Sequence, residues 1–363
     1  MNMIMSEKAK QHVESCRFCW MCHHICPIGN ATGHERSTPR ARALGISLVN
    51  RGAIELEEIM DNIYECAGCG ACVRDCITGW DPVMFTKEVR LQAALDDKLP
   101  EYVNTFVDNC LDKGNAYGKD VMCETLASAI AEHSAKTDTL FFLGADARYM
   151  ACKQGYKAIK VLEKAGVKFT TLADEPASGN QLDFLIGAAE ETKEQMNAAA
   201  NVMNEYKTVV FYDPADAKTV KQTYGEYGIK LEARAMTYTA FLADLVKSGA
   251  LKCEKKGKTV VYQDPFQLAR DLEETEEARE VISAFADLHE MHLNRAETVW
   301  AGNILMAQYM PEVMKLVAER RIFNAKSIGE SVIVTASVSE YTSLKNAEQN
   351  EIEILSIEDL ILD

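Results

Sequence analysis

Two closely spaced runs of cysteine constrain this chain more than any other feature. The steps within each run follow the pattern CxxCxxCxxxC, and a proline, Pro27, comes directly after the first run. Three thiolates on one tight loop can bind three corners of an iron-sulfur cubane, and the fourth, just beyond the loop, can reach a second cubane. The runs consist of Cys16, Cys19, Cys22 and Cys26, and of Cys66, Cys69, Cys72 and Cys76.

The doubled pattern predicts two 4Fe-4S clusters that exchange their fourth ligands. Cluster 1 takes its ligands from Cys16, Cys19, Cys22 and Cys76. Cluster 2 takes its ligands from Cys66, Cys69, Cys72 and Cys26. The alternative is a pair of structural zinc sites, which also use paired cysteine steps. The third cysteine at the same step and the following proline have no role in a zinc site, so the pattern favours clusters.

Charge and hydropathy narrow the class of protein further. The formal charge of the 363 residues is −16, which argues against a nucleic-acid partner because phosphates would repel such a surface. No apolar run is long enough for a membrane span, and the segment 1–11 lacks the continuous apolar stretch of a signal peptide. These observations predict a cytoplasmic protein. Thiols stay reduced in that compartment, so the cysteines indicate metal ligation rather than disulfides.

Apart from the cysteine loops, the first hundred or so residues predict helices. Thr38 followed by Pro39 is typical of an N-cap and first helical position, so we expect a helix from Pro39 to Val49. A second helix is expected from Ile54 to Tyr64, leading into the second cysteine run, and helices continue through residues 83–136.

The pattern changes near residue 139 to short apolar runs separated by helical stretches. Such runs are typical of buried strands in parallel sheets covered by helices. The charged segment 252–258 is the expected boundary between two such units. The expected strands lie at 139–144, 169–173, 208–213, 259–264 and 331–336.

The two units also resemble each other. The segment DEPASGNQLDFLIG at 174–187 precedes the 208–213 strand, and AETVWAGNILMA at 296–307 precedes the 331–336 strand at a closely matching distance. An internal duplication is the simplest interpretation. The expected architecture is therefore an α+β multidomain protein, with an α-helical ferredoxin domain (1–105) followed by two α/β repeats (106–251 and 252–363).

With these motifs, the chain resembles iron-sulfur subunits that join a double-cluster domain to two cysteine-rich CCG domains. This group includes the glycolate oxidase iron-sulfur subunit, the anaerobic glycerol-3-phosphate dehydrogenase C subunit, the lactate-utilisation iron-sulfur protein and the heterodisulfide reductase D subunit. In the family, each CCG domain has a lone cysteine, then Cys-Cys-Gly, then CxxC. Here the resemblance implies that every one of these signature cysteines has been replaced.

The corresponding positions keep closely matching separations in the two copies. In the second copy the family's lone cysteine falls at Phe266, within the segment from Gln263 to Gln267. The first-copy positions are Ala145, Ala177, Ser178, Gly179, Asp213 and Asp216. The second-copy positions are Phe266, Trp300, Ala301, Gly302, Ser337 and Glu340.

Loss of the CCG thiolates predicts that both sites have lost their iron. Soft iron sites need thiolates, whereas alanine, phenylalanine and tryptophan would fill the vacated space with apolar volume. The replacements Asp213, Asp216, Ser337 and Glu340 can be interpreted as helix caps or turn residues, or as an oxygen-ligand metal or acid/base site. We expect no catalytic residue within these positions.

The resemblance implies an electron-transfer subunit rather than a catalytic one. Its partner would be an FAD-containing dehydrogenase or oxidase of a small hydroxy acid or polyol. Its acceptor would be a downstream carrier: an electron-transfer flavoprotein, a ferredoxin or a quinone-linked protein. We expect a cytoplasmic chain, free or held peripherally at a membrane by a partner. The alternatives are a self-contained reductase with an altered CCG site and a non-enzymatic iron-sulfur sensor or scaffold.

Overall fold

A computed structural model of the chain describes residues 5–17, 19–348 and 352–363. The sequence predicted that segment 1–11 is not a signal peptide. Residues 1–4 of that segment lie outside the described residues. In the described part, no helix is both long enough and apolar enough to cross a membrane.

The N-terminal part consists of helices connected by the cysteine loops. Thr38 caps the helix that starts at Pro39, and its side chain accepts a hydrogen bond from the backbone N–H of Ala41, which confirms the predicted helix start. The helix expected from Ile54 begins instead as a single 3₁₀ turn at Leu56–Ile59. The helices are α1 (Glu7–Glu14), α2 (Met21–Ile25), α3 (Pro27–Thr32), α4 (Pro39–Asn50), α5 (Met60–Tyr64), α6 (Ala71–Arg74), α7 (Pro82–Leu95), α8 (Glu101–Lys113) and α9 (Glu124–Glu132).

A three-stranded parallel sheet follows, in the strand order β1-β2-β3. In its register, Thr139 pairs with Thr208, and Thr208 pairs with Arg234. The strand expected at 169–173 is wrong as a full strand, because only Thr170 bridges to β1. The elements are β1 (Thr139–Phe142), α10 (Cys152–Lys164), α11 (Asn180–Ile186), α12 (Glu190–Met203), β2 (Thr208–Phe211), α13 (Pro214–Lys218), α14 (Tyr224–Glu226), β3 (Arg234–Thr237) and α15 (Tyr238–Lys247).

A four-stranded parallel sheet occupies the C-terminal part, in the order β5-β4-β6-β7. Val261 of β4 pairs with both His289 of β5 and Ile333 of β6. The elements are β4 (Thr259–Gln263), α16 (Glu277–Phe285), β5 (Asp287–His289), α17 (Ile304–Ala307), α18 (Pro311–Ser327), β6 (Val332–Thr335), α19 (Val338–Ala347), β7 (Glu353–Ser356) and α20 (Ile357–Leu362).

One apolar core joins the two sheets. It includes Phe141 of β1, Val260 of β4 and Leu242 of α15, all of which are fully buried. Across the same junction, Gln154 of α10 donates a hydrogen bond to Ser356 Oγ at 2.8 Å. The expected α+β multidomain architecture is confirmed. The expected domain boundary at residue 105 lies within α8, so the exact division into domains stays a prediction.

Candidate iron-sulfur sites

The structure gathers four of the eight cysteines around a cavity near the surface. We call this the outer thiol cavity, and Trp20, Met21, Arg40 and Trp80 also line it. Cys19 is exposed, whereas the other three cysteines are half-buried. The four cysteines are Cys16, Cys19, Cys22 and Cys76, which is the set predicted for cluster 1.

The other four cysteines surround a second cavity, which lies deeper. We call it the inner thiol cavity, and Arg42, Pro39 and Val83 are among its other lining residues. Its cysteines are Cys26, Cys66, Cys69 and Cys72, which is the set predicted for cluster 2. Three thiols of one run therefore lie beside the fourth thiol of the other run in both cavities.

Local backbone geometry explains why proline and glycine lie next to the cysteines of the two runs. Cys26 occupies the N-cap of α3, with Pro27 in the first turn, and its sulfur accepts a hydrogen bond from the Gly29 N–H at 3.4 Å. Gly68 and Gly70 adopt φ values of +66° and +72°, which side-chain-bearing residues rarely adopt. These glycines let the second run turn tightly around the inner thiol cavity.

Burial disfavours the thiolate form of three inner thiols. Burial raises the pKa of Cys26 and Cys72, and it raises the pKa of Cys69 to about 11. The fully buried guanidinium of Arg42 opposes this rise at Cys26. When bound, iron would supply further positive charge that favours the thiolate form of these cysteines.

The thiols of each set surround a cavity, which is the arrangement that the ligands of a cubane require. In residues 5–17, 19–348 and 352–363, no group of three or more histidine, cysteine or carboxylate side chains is close enough to hold one metal ion. The thiolates of a cubane bind separate irons, so they surround a space rather than meet at a point. Both sets of thiols fit 4Fe-4S binding in number and placement.

Residues from the rest of the chain enclose the inner thiol cavity. Arg90 of α7 donates a hydrogen bond to the Cys66 carbonyl at 2.7 Å, and Arg270 donates to the Cys69 carbonyl at 2.6 Å. Phe266 and Trp300 pack in the same apolar cluster as Cys26 and Cys69. The second α/β unit therefore covers this cavity directly.

At the second altered CCG position, apolar side chains fill the space that the prediction assigned to them. The exposed fraction is 8% for Phe266 and 2% for Trp300. Ala301 is fully buried, and Ser337 caps α19 by accepting a hydrogen bond from the Glu340 N–H at 3.3 Å. The Glu340 carboxylate lies against Gln263, whose amide donates to it at 2.9 Å, and burial raises the pKa of Glu340 to about 8.

The first altered CCG position has become a buried polar site. Ser178 Oγ donates a hydrogen bond to Asp216 Oδ1 at 2.5 Å, while the other carboxylate oxygen of Asp216 is buried without a partner. Asp213 caps α13 by accepting from the Ala215 N–H at 2.9 Å. Burial raises the pKa of Asp216 to about 7 and that of Asp213 well above the ordinary range.

Sequence reasoning missed two further carboxylates at this position. Asp146 accepts hydrogen bonds from Tyr117 at 2.5 Å and from Ser339 of the second unit at 2.6 Å. Glu175 accepts from the backbone N–H groups of Leu143 and Gly144, both at 2.8 Å. Neither carboxylate belongs to a spaced motif, so only the fold could identify them.

A third cavity, which we call the central cavity, lies where the helical part meets both α/β units. Ala67 and Gly68 of the second cysteine run contribute to its wall. From the α/β units come Asp213, Lys218 and Gln267, and the side-chain oxygen of Gln267 is buried without a hydrogen-bond partner. The ends of the parallel strands converge here, which is where ligands bind in many α/β folds.

Comparison with known proteins supports the iron-sulfur interpretation. Residues 12–80 match the 4Fe-4S dicluster domain family. The D subunit of the dihydromethanophenazine:CoB–CoM heterodisulfide reductase of Methanosarcina mazei is 25% identical, over 88% of this chain and 85% of that protein. Its counterpart in Methanosarcina acetivorans is also 25% identical, over 96% of this chain and 92% of that protein.

An uncharacterized iron-sulfur protein of Methanocaldococcus jannaschii is 23% identical, over 97% of this chain and 73% of that protein. These alignments extend well beyond the dicluster segment and include both α/β units. The chain is thus similar over most of its length to the D subunits of heterodisulfide reductases, and its residues 12–80 are similar to the 4Fe-4S dicluster domain family.

Proposed function

We propose that the chain is an electron-relay subunit that holds two 4Fe-4S clusters with exchanged fourth ligands. The observation that carries the proposal is the sorting of eight cysteines into two cavities, each lined by cysteines of both runs. In this proposal residues 1–105 hold both clusters, and residues 106–251 and 252–363 form the two repeats. When bound, the cubanes accept and donate single electrons.

The chain's own residues fix the environment of each site. Arg42 donates hydrogen bonds to the carbonyls of Ser37 at 3.0 Å and Asn62 at 2.8 Å, which holds its charge beside the inner thiols. Arg90 and Arg270 fix the loop of the second run through its carbonyl oxygens. This rigid, enclosed setting limits the access of water to the inner site and thereby affects its potential.

We further propose that electrons come from an FAD-dependent dehydrogenase or oxidase of a small hydroxy acid or polyol. A flavin can take two electrons from such a substrate and release them singly to clusters. The acceptor would be an electron-transfer flavoprotein, a ferredoxin or a quinone-linked carrier. The Methanosarcina relatives are named as subunits of a reductase, which supports partner proteins here. A cytoplasmic location, with or without attachment to a membrane through a partner, stays a prediction.

Stopped-flow mixing tests the relay. The holo-protein is mixed anaerobically with the flavoprotein that co-purifies from the native host, after that flavoprotein has been reduced by its own substrate. We expect the cluster absorbance to bleach during the reaction. The proposal fails if no bleaching occurs, or if variants lacking both clusters sustain the same flux to the downstream acceptor.

The central cavity supports a second candidate function, that of a self-contained reductase. Its wall includes the loop beside Cys66 and Cys69, so a small molecule bound there would lie next to the inner thiol cavity. Lys218 and Asp213 supply a cation and a carboxyl group whose pKa burial raises well above the ordinary range. Turnover by the isolated holo-chain with a chemical reductant and candidate substrates would favour this function. Absence of both turnover and a flavoprotein partner would favour a sensor or scaffold.

A further inference from the structure

Large apolar side chains are exposed around the outer thiol cavity. The exposed fraction is 48% for Trp20, 48% for Met21 and 92% for Ile77. Trp20 and Met21 lie within the first cysteine run, whereas Ile77 directly follows the last cysteine of the second run. Single exposed apolar residues are ordinary, but a group drawn from two separate segments of the chain is typical of an interaction surface.

The Trp20 ring is held at the surface by its local geometry. Trp20 adopts φ +70°, a conformation that is strained for a bulky residue. The Arg40 guanidinium lies 3.5 Å from the ring centre, and Arg40 also pairs with Glu35. Leu44, one helical turn beyond Arg40 on α4, extends the apolar surface and is 55% exposed.

The side chains that line the outer thiol cavity differ in charge from the chain as a whole. Arg17 and Arg40 line the outer thiol cavity, and no described carboxylate side chain lines it. Arg17 is exposed, in a chain whose formal charge is −16. A partner with acidic side chains around an apolar centre would complement this surface, while the acidic remainder of the chain would repel it elsewhere.

The inner thiol cavity offers no comparable approach. Phe266, Trp300 and Arg270 of the second α/β unit pack against the loops that form it. A protein partner can therefore come close to the outer site but is kept from the inner one.

We propose that Trp20, Met21, Leu44 and Ile77, which we call the outer face, form the docking site for the electron-donating flavoprotein, and that this partner presents an acidic rim around an apolar patch. The inference rests on the relay proposed above and adds the place and chemistry of the contact. Apolar residues at the centre and charges at the rim are the usual division of roles at protein interfaces.

The test compares electron transfer from the co-purified flavoprotein with direct reduction by dithionite. Ile77→Ser and Arg17→Glu should each lower the second-order rate with the reduced flavoprotein by about tenfold or more. Reduction by dithionite should stay unchanged, because a small reductant needs no docking surface. The loss of rate in Arg17→Glu should become smaller as the salt concentration is raised, because salt screens the charge.

Val121→Ser is the matched control, because Val121 is 80% exposed and lies outside the outer face. Its rate should equal that of the wild type. Ile77 is so exposed that its replacement should not disturb packing, and iron content checks that each variant retains its clusters. If wild-type protein is reduced by the flavoprotein but Ile77→Ser and Arg17→Glu both react within twofold of it, the docking site is wrong and the relay stands. An equal loss in Val121→Ser also overturns the docking site. If wild-type protein is never reduced, the relay itself fails, and the docking proposal with it.

Discussion

Phe266→Ala tests whether the second altered CCG position is now a packing site. Phe266 is 8% exposed and packs in one apolar cluster with Trp300, Cys26 and Cys69. Truncating a buried phenylalanine to alanine costs about 3 to 5 kcal/mol, through lost burial and the cavity that remains. Phe266 also lines the central cavity, so the side of its ring that faces the cavity has fewer protein atoms packed against it. We therefore expect a loss near the lower end, about 3 kcal/mol.

Anaerobic urea unfolding, followed by tryptophan fluorescence, measures this loss. With a slope of about 1 to 3 kcal/mol per molar urea, the midpoint should fall by about 1 to 3 M. Phe323→Ala is the control, since Phe323 is 67% exposed, and its effect should stay within about 0.5 kcal/mol. Iron content should not change, because Phe266 supplies no ligand. A loss below about 1 kcal/mol, or equal losses in the two variants, would refute the packing role.

Three further predictions concern the clusters and the buried carboxylates. Anaerobically purified protein should contain about eight irons per chain, for two cubanes; stoichiometric zinc, or about twelve irons, would contradict this count. Cys26→Ser should damage the cluster beside Cys69 more than the cluster beside Cys19, as seen by electron paramagnetic resonance, and the reverse pattern would refute exchanged ligation. Burial raises the pKa of Asp216 to about 7, so folded protein keeps a proton that the unfolded chain releases above about pH 4. The free energy of unfolding should therefore fall between about pH 4 and pH 7, and Asp216→Asn should flatten that fall; an unchanged pH profile would contradict it.

The sequence predicted those features that depend on local patterns. Apolar runs located β1, β2, β4 and β6, because a strand buried on both faces must be apolar throughout. Cysteine spacing predicted which thiols meet in each cavity, and the structure gathers those same sets, although ligation itself awaits the cluster experiments.

The features that sequence reasoning missed depend on contacts between distant segments. Strand β5 (Asp287–His289) is largely exposed and polar, so it lacks the apolar run of a buried strand. Asp146 matters because it meets Tyr117, Gln181 and Ser339, which lie on separate segments. No spacing rule connects such residues, since the fold alone brings them together.

The residues at the altered CCG positions still lie close together although none of them is a thiolate. Their packing contacts give a physical reason for this arrangement. In the second unit, Phe266 and Trp300 replace possible ligands with apolar volume that packs against the loops of Cys26 and Cys69. Arg270, from the turn after Phe266, reaches the Cys69 carbonyl. Removal of this unit would uncover the inner thiol cavity and would leave the Cys69 carbonyl without this donor. In the relay that we propose, the unit would therefore act through the shielding that it gives to the inner site, because solvent exposure and nearby hydrogen bonds set the potential of an iron-sulfur cluster.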